Sequence, residues 1–263
     1  MTSIIESSPS RQRTATGPTV FRVQDTTADD SVLGKVHLLL RVFSPTLTRV
    51  GLTELSRRSG IPKATTYRLA SQLVDLGYLS KTGKEYQLGW KIFEMGQLVT
   101  GPARLSAVAR PTLIDLRSAS NALIVHLAIA RGNECVYLER IVGRREVPFL
   151  LTPSMPILSS ASGRVLMAYR DSRRQAVTEL VGREKAETAL AQLETIRSRR
   201  WASDNGELVP GLKTYAVPIA LVDRQRVPAV ISVTVPADRK DDQTILHALW
   251  SASADVGRSL DRR

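Results

Sequence analysis

Residues 52–77, LTELSRRSGIPKATTYRLASQLVDLG, constrain the fold more than any other stretch of the chain. Apolar residues recur at helical spacing on either side of Gly60-Ile61-Pro62, which predicts two short amphipathic helices meeting at a reversal. Leu52, Leu55 and Ser56 share one side of the first helix, and Arg57 and Arg58 end it at the negative pole of its dipole. Gly60 suits the reversal, and Pro62 is tolerated in the first turn of the second helix. On that helix Thr65, Leu69, Leu73 and Leu76 form the inward face. Lys63, Ala64 and Tyr67 then face outward, flanked by Thr66, Arg68 and Ser71. The next segment, YLSKTGKEYQLG, reads as a β-hairpin with Gly83 at its tip. Helix, turn, helix and hairpin in this order describe a winged helix-turn-helix.

The major groove admits a helix whose N-terminal half carries short, polar and basic residues. The candidate DNA-contacting residues are Arg57, Arg58, Lys63, Ala64, Thr65, Thr66, Tyr67, Arg68 and Ser71, with Lys81 and Lys84 on the wing as phosphate contacts. The alternative is an ordinary helical hairpin with a solvated charge run. Motif order and surface chemistry coincide only in the DNA reader.

A formal charge of +12 and a pI near 10.3 favour a polyanionic partner, nucleic acid or an acidic membrane surface, without choosing between them. At 263 residues the chain can hold one small and one medium domain, each with its own core. No apolar run is long enough to span a bilayer, and the first residues lack the apolar core of a secretory signal. Cys135 is the single cysteine, so no intrachain disulfide can form and a reducing cytoplasm is the natural compartment.

The chain divides into a disordered Ser/Thr/Pro/Arg tail (1–29), the winged helix-turn-helix (30–89), a linker helix (90–104) and a second domain (105–263). Trp90, Ile92, Phe93, Met95, Leu98 and Val99 make the linker strongly apolar, and Gly101-Pro102 break it. That much apolar surface suits a dimer contact. Beyond it, 122–130 and 134–142 flank the tight turn Arg131-Gly132-Asn133, and 147–151 reads as a third strand. A Pro-bearing loop, TPSMPILSS, leads to the helix SGRVLMAYR, and helices over 172–181 and 184–200 follow. Strands at 214–222 and 229–235, joined by Asp223-Arg224-Gln225-Arg226, precede a closing helix over 242–260. Strand pairs separated by helices predict an α+β fold with an antiparallel sheet.

Catalytic constellations are missing from this pattern. His37, His126 and His247 are scattered and form no HExxH or Cys/His ligand pair, so no metal site is expected. His126 reads as a core histidine and Cys135 as a small buried hydrophobe. Ser160 and Ser162 lack a Gly-x-Ser-x-Gly elbow, and no Walker loop or dinucleotide fingerprint calls for a cofactor. Asp204 and Glu207 flank the turn pair Asn205-Gly206 and read as a loop rather than as paired catalytic carboxylates.

GIPKATTYRLASQLVDLGYL, YQLGWKIFEMG, ARPTLIDLRSASNALIVHLAI, CVYLERI, MPILSSASGRVLMA, NGELVPGLKTYAVPI and AVISVTVP, in this order and spacing, resemble the IclR family of bacterial transcriptional regulators. The resemblance runs from about Val32 to the C-terminus. It implies a winged helix-turn-helix joined by a helix to a GAF-like effector-binding domain that senses a small organic acid, a class that includes aromatic acids. It also implies a homodimer or dimer of dimers on a pseudo-palindromic operator, repressing or activating a catabolic operon. Matched to effector-contacting positions are Ala161, Ser162, Asp204, Leu212, Thr214, Ser232 and Thr234, with Met155 at the apolar wall. Ser159-Ser160-Ala161-Ser162-Gly163-Arg164 replaces the family's stretch ending in Gly-Lys, and Arg226 stands where Gly is common.

The residues themselves allow such a site. Ser159, Ser160 and Ser162 run into a helix expected to begin near Gly163, whose free N–H groups suit a carboxylate. Ser232 and Thr234 share one face of the last strand. Each hydroxyl, taken singly, is equally a helix cap or a satisfied core group. A ligand-independent DNA binder leaves the second domain unexplained, and an enzyme fused to a DNA-binding module lacks its constellation.

Overall fold

The computed structural model describes residues 30–44, 46–143, 152–219 and 229–261. The expected tail at 1–29, the strand at 147–151 and the Asp223 to Arg226 connection, Arg226 included, lie outside the described residues.

Helix α1 (Val32–Leu40) is capped by Ser31, whose hydroxyl accepts the Gly34 N–H at 3.0 Å. A two-residue strand, β1 (Val50–Gly51), leads into α2 (Leu52–Ser59) and α3 (Lys63–Asp75). Strands β2 (Leu79–Thr82) and β3 (Glu85–Leu88) form the wing hairpin, and β1 adds to β3 to give the antiparallel order β1-β3-β2. Gly60 takes φ +73°, a left-handed conformation that lets α2 turn into α3 within three residues. Leu39, Leu55, Ile61, Leu69, Leu73, Leu79 and Tyr86 are buried together as the core of this unit. Each such side chain contributes about 1.5–3 kcal/mol of burial.

On α3 the structure departs from three sequence expectations. Its inward stripe is Thr66, Leu69, Ala70 and Leu73, so Thr66 rather than Thr65 faces the core. Leu76 is 63% exposed, because α3 ends at Asp75 and Leu76 is its C-cap. Pro62 sits at the N-cap of α3 rather than inside its first turn.

The connector is α4 (Trp90–Gln97), followed by α5 (Thr100–Ser120). The break falls at Leu98-Val99. Gly101 and Pro102 lie in the opening turn of α5 instead of breaking the connector, since an N–H is dispensable there.

The second domain holds β4 (Ile124–Arg131), β5 (Glu134–Val142), β6 (Ser154–Pro156), a 3-10 turn (Ile157–Ser159), α6 (Ala161–Ala168), α7 (Arg173–Val181) and α8 (Arg183–Arg199). After these come β7 (Ala202–Asp204), β8 (Leu212–Pro218), β9 (Val230–Pro236) and α9 (Asp242–Asp261). The strands pair antiparallel in the order β6-β5-β4-β9-β8-β7, an α+β fold as expected. Edge strand β6 falls in the segment expected as a Pro-bearing loop, and β7 ends at Asp204, where the expected turn begins. Helices α5 and α9 pack on one face against Val125, Leu127, Tyr215, Val217, Ile231 and Val233. Helices α6 to α8 pack on the other, against Ala128, Cys135, Ala216 and Val230.

One irregularity matters for the site. The β4–β5 register shifts between Leu127, which pairs with Glu139, and Ala128, which pairs with Tyr137. Leu138 is therefore the extra residue of a β-bulge. Tyr137 and Arg140 come to the α6 face, whereas Glu139 turns toward α5 and takes Ser106 and Arg110 as partners.

Candidate DNA-reading surface and effector site

Lys63, Ala64, Tyr67 and Arg68 are exposed on α3, and Thr65 and Ser71 are half-buried beside them. Thr66 is fully buried and donates its hydroxyl to the Ile61 carbonyl at 3.1 Å, so it pins α3 to the turn instead of reaching a groove. Arg57 and Arg58 are exposed but already engaged. Both guanidinium groups bond Glu54, with Arg57 Nε at 2.8 Å and Arg58 Nε at 2.5 Å. These two arginines hold the Glu54 carboxyl down at about 2. On the wing, Gly83 at φ +61° turns the hairpin, Lys84 is exposed, and Lys81 lies 5.5 Å from the Tyr86 ring. Arg49, absent from the sequence-based set, lies beside β1 and bonds Gln87 of β3 at 3.2 Å on the exposed side of the wing.

The second set of candidate residues converges on the α6 face of the large sheet. Cross-strand pairing lines up Asp204, Thr214, Thr234 and Ile124, and beside them Ala202, Ala216, Ser232, His126 and Arg140. The first turn of α6 spans this face, and Arg164 ties it to β7 by donating to the Ser203 carbonyl at 2.7 Å and to Glu207 at 2.6 Å. The Thr214 and Thr234 hydroxyls bond each other at 2.9 Å. Ser232 is 1% exposed, and its Oγ has no hydrogen-bond partner among the described residues. Asp204 Oδ1 accepts the N–H groups of Gly206, Glu207 and Leu208 at 3.0–3.3 Å, which makes it the cap of the expected turn, while its buried Oδ2 has no partner among the described residues.

The helix start corrects the sequence reading. α6 begins at Ala161 rather than near Gly163, and Ser160 is its N-cap, accepting the Gly163 N–H at 3.1 Å. One first-turn donor is thereby taken. Gly163 is required for packing: a Cβ there would lie 1.9 Å from the Ile157 carbonyl oxygen. Ser162 is buried, Ser159 is half-buried in the 3-10 turn, Met155 sits on β6, and Leu212 packs in a small cluster with Leu123 and Ile124.

Sequence reasoning missed three side chains of this face. His126 is buried with its ring 4.5 Å from that of Tyr137, and burial together with the Arg140 charge lowers its pKa to about 3. The Tyr137 hydroxyl donates to Met155 Sδ at 3.3 Å, and burial drives its pKa upward. Arg140 lies 5.4 Å from the Tyr137 ring. Cys135 is fully buried as expected, its thiol pushed up to about 12 by burial. A cavity of about 640 Å³ is lined by Arg117, Asn121, Leu123, Gly143, Asp238 and Arg239, and neither Ser232 nor Asp204 is among its lining residues. No group of three or more His, Cys, Asp or Glu side chains that could hold a metal occurs among the described residues.

Residues 32–83 match the IclR helix-turn-helix domain, and residues 97–262 match the C-terminal domain of bacterial transcriptional regulators of the IclR type. The chain is 29% identical over 241 residues to the HTH-type transcriptional regulator XynR of Escherichia coli (strain K12), covering 84% of this chain and 94% of that one. It is 26% identical over 263 residues to the Pca regulon regulatory protein of Pseudomonas putida, covering 91% and 88%. A solved IclR homolog from Microbacterium hydrocarbonoxydans, complexed with 4-hydroxybenzoate, has the same fold: TM-score 0.77 at 22% identity, over 89% of this chain and 100% of that one. With both family domains matched in order, the chain belongs to the IclR family of bacterial transcriptional regulators, DNA-binding proteins with an N-terminal helix-turn-helix and a C-terminal effector domain.

Proposed function

We propose that the chain switches a catabolic operon in the cytoplasm in response to a small organic acid bound on the α6 face of its second domain. The observation that carries this reading is the pair of buried, unpartnered polar atoms, Ser232 Oγ and Asp204 Oδ2. A buried polar group without a partner costs about 1–3 kcal/mol, and a ligand that supplies the partner recovers it. Thr214 and Thr234 lie in one cross-strand row with Asp204, and Met155, Ser159, Ala161, Ser162 and Leu212 complete the proposed site. The 4-hydroxybenzoate bound by the Microbacterium relative points toward aromatic acids.

Lys63, Ala64, Thr65, Tyr67, Arg68 and Ser71 read the operator, and Arg57, Arg58, Lys81 and Lys84 hold its phosphates. Exposed Val32, Leu33, Trp90, Phe93, Leu98 and Val99 form the contact of a two-fold dimer, extended to a dimer of dimers, on a pseudo-palindromic site. The test is a gel shift of the full chain on DNA upstream of its own gene, with and without a panel of aromatic and aliphatic acids. At least one acid changes operator affinity, and Ser232→Ala weakens that response without changing affinity in its absence. Operator binding that no acid alters overturns the reading.

A further inference from the structure

Arg140 is unusual among the arginines of this domain. Its Nη2 donates to the Thr152 carbonyl and its guanidinium lies over the Tyr137 ring, so its position is fixed from two sides. Its Nε is nevertheless buried with no hydrogen-bond partner among the described residues. No carboxylate pairs with it among the described residues; the adjacent Glu139 faces α5 and is bound by Arg110. Burial disfavours its charged form, and the nearest polar neighbour on β4, His126, is itself held neutral by burial and by the Arg140 charge. A fixed, partly desolvated cation with no carboxylate partner among the described residues is a site for an anion.

The other two unpartnered polar atoms lie on the same face. Ser232 is across β4 from Arg140, in the same cross-strand row. Asp204 lies further on, at the β7 edge. We propose that Arg140 Nε holds the carboxylate of an elongated organic acid whose far end carries a hydrogen-bond donor for Asp204 Oδ2, with Ser232 Oγ bonding it in between. This rests on the reading of the α6 face as the effector site and names the orientation and class of its ligand. It reverses the orientation that the bare helix start suggests. Ser160 already takes a first-turn N–H of α6, and a ligand carboxylate beside Asp204 would meet a like charge. Four strand spacings separate β5 from β7, about 19 Å between backbones. The arginine stem covers part of that distance, so the ligand must be longer than a two-carbon acid. The His126 and Tyr137 rings, tilted against each other beside Arg140, suit a flat body next to the carboxylate end.

The experiment is calorimetry on the full-length protein with matched probes: 4-hydroxybenzoate, 4-hydroxyphenylacetate and 4-hydroxycinnamate, each beside its primary amide and its methyl ether. At least one acid binds roughly tenfold more tightly than its amide, because the amide leaves the Arg140 charge uncompensated. Arg140→Gln brings that preference below about threefold, and Arg140→Lys keeps part of it. Asp204→Asn shifts the preference from hydroxyl toward methyl ether, since its amide can donate where the carboxylate accepts. Wild-type protein that binds amides as well as acids, or none of the probes, overturns the assignment, as does an acid preference that survives in Arg140→Gln. If Arg140→Gln does not fold, the wild-type acid-to-amide ratio and the lysine variant decide. A probe that binds without regard to Arg140 yet changes operator affinity removes this orientation and leaves the effector reading standing. Probe binding that never changes operator affinity removes the effector reading instead.

Discussion

Gly163 and Ile157 meet backbone to backbone: a Cβ on Gly163 would lie 1.9 Å from the Ile157 carbonyl oxygen and 2.7 Å from its carbon. The atoms it would strike are main chain, so no rotamer change relieves them. Gly163→Ala is expected to push α6 off the 3-10 turn and to destabilise the domain by about 1–3 kcal/mol. Urea unfolding reads this directly, and unchanged stability would show that the two segments separate freely.

On α3, adjacent threonines and their neighbours have opposite duties. Tyr67→Ala with Arg68→Ala should abolish specific operator binding while the circular dichroism spectrum and effector binding stay intact. Thr66→Ala should lower stability by about 1 kcal/mol, through the lost bond to the Ile61 carbonyl, and leave sequence preference alone. Footprinting settles both; a protected operator in the double variant would sink the recognition-helix assignment.

Glu54 binds both Arg57 and Arg58, the residues proposed to hold operator phosphates. Glu54→Gln should release both arginines, raise affinity for all sequences and steepen the fall of affinity with salt. Lys84→Ala should act in the opposite sense, reducing the salt slope by about 1 without altering preference. Binding isotherms across a salt series give the slopes, and a specificity change in Lys84→Ala would mean that the wing reads bases.

His126 makes stability depend on pH in a definite direction. Its ordinary pKa of 6.5 falls to about 3 in the folded chain, through burial first and the Arg140 charge second. The neutral ring's contribution is complete above pH 6.5 and is lost as pH falls toward 3, since the unfolded chain then binds a proton that the folded chain refuses. Within that window the loss is up to about 1.4 kcal/mol per pH unit. His126→Gln should remove this share, so the difference between variant and wild type must narrow on acidification. Parallel unfolding curves from pH 7 to 4 would refute it.

Trp90 is 69% exposed although its ring lies 4.7 Å from that of Phe93, an apolar pair on a helix with no buried residue. Phe93→Glu together with Leu33→Glu should convert a dimeric or tetrameric species into monomer and weaken operator binding through lost two-fold avidity. Light scattering at micromolar concentration checks the mass; a monomeric wild type contradicts the proposed contact.

Local chemistry was legible in the amino-acid order. Gly60 between two amphipathic stripes, Gly83 between two β runs and Asn205-Gly206 after Asp204 specify their turns through backbone preferences that need no distant partner. The long strands β4, β5, β8 and β9 showed themselves in the same way, as did the helices that close the second domain. Strands β1, β6 and β7 did not, because two or three residues carry no period and exist as strands only through the neighbours that pair with them.

Facing was decided by packing. A helical residue turns about 100° from the one before it, so a single position separates Thr65 on the flank of α3 from Thr66 in its core, and the stripe alone admits either. The bulge at Leu138 has the same effect on β5. Strict alternation from Tyr137 would send Arg140 to the α5 face; the extra residue returns it to the α6 face, in line with His126 and Ser232. Those three residues are far apart in the chain, and only the antiparallel pairing of β5, β4 and β9 makes them neighbours. The sequence by itself determined a DNA-reading head and an α+β domain, because periodicity and turn chemistry act over a few residues. The tertiary structure decided which polar atoms were left buried without partners, because that depends on every strand and helix that encloses them.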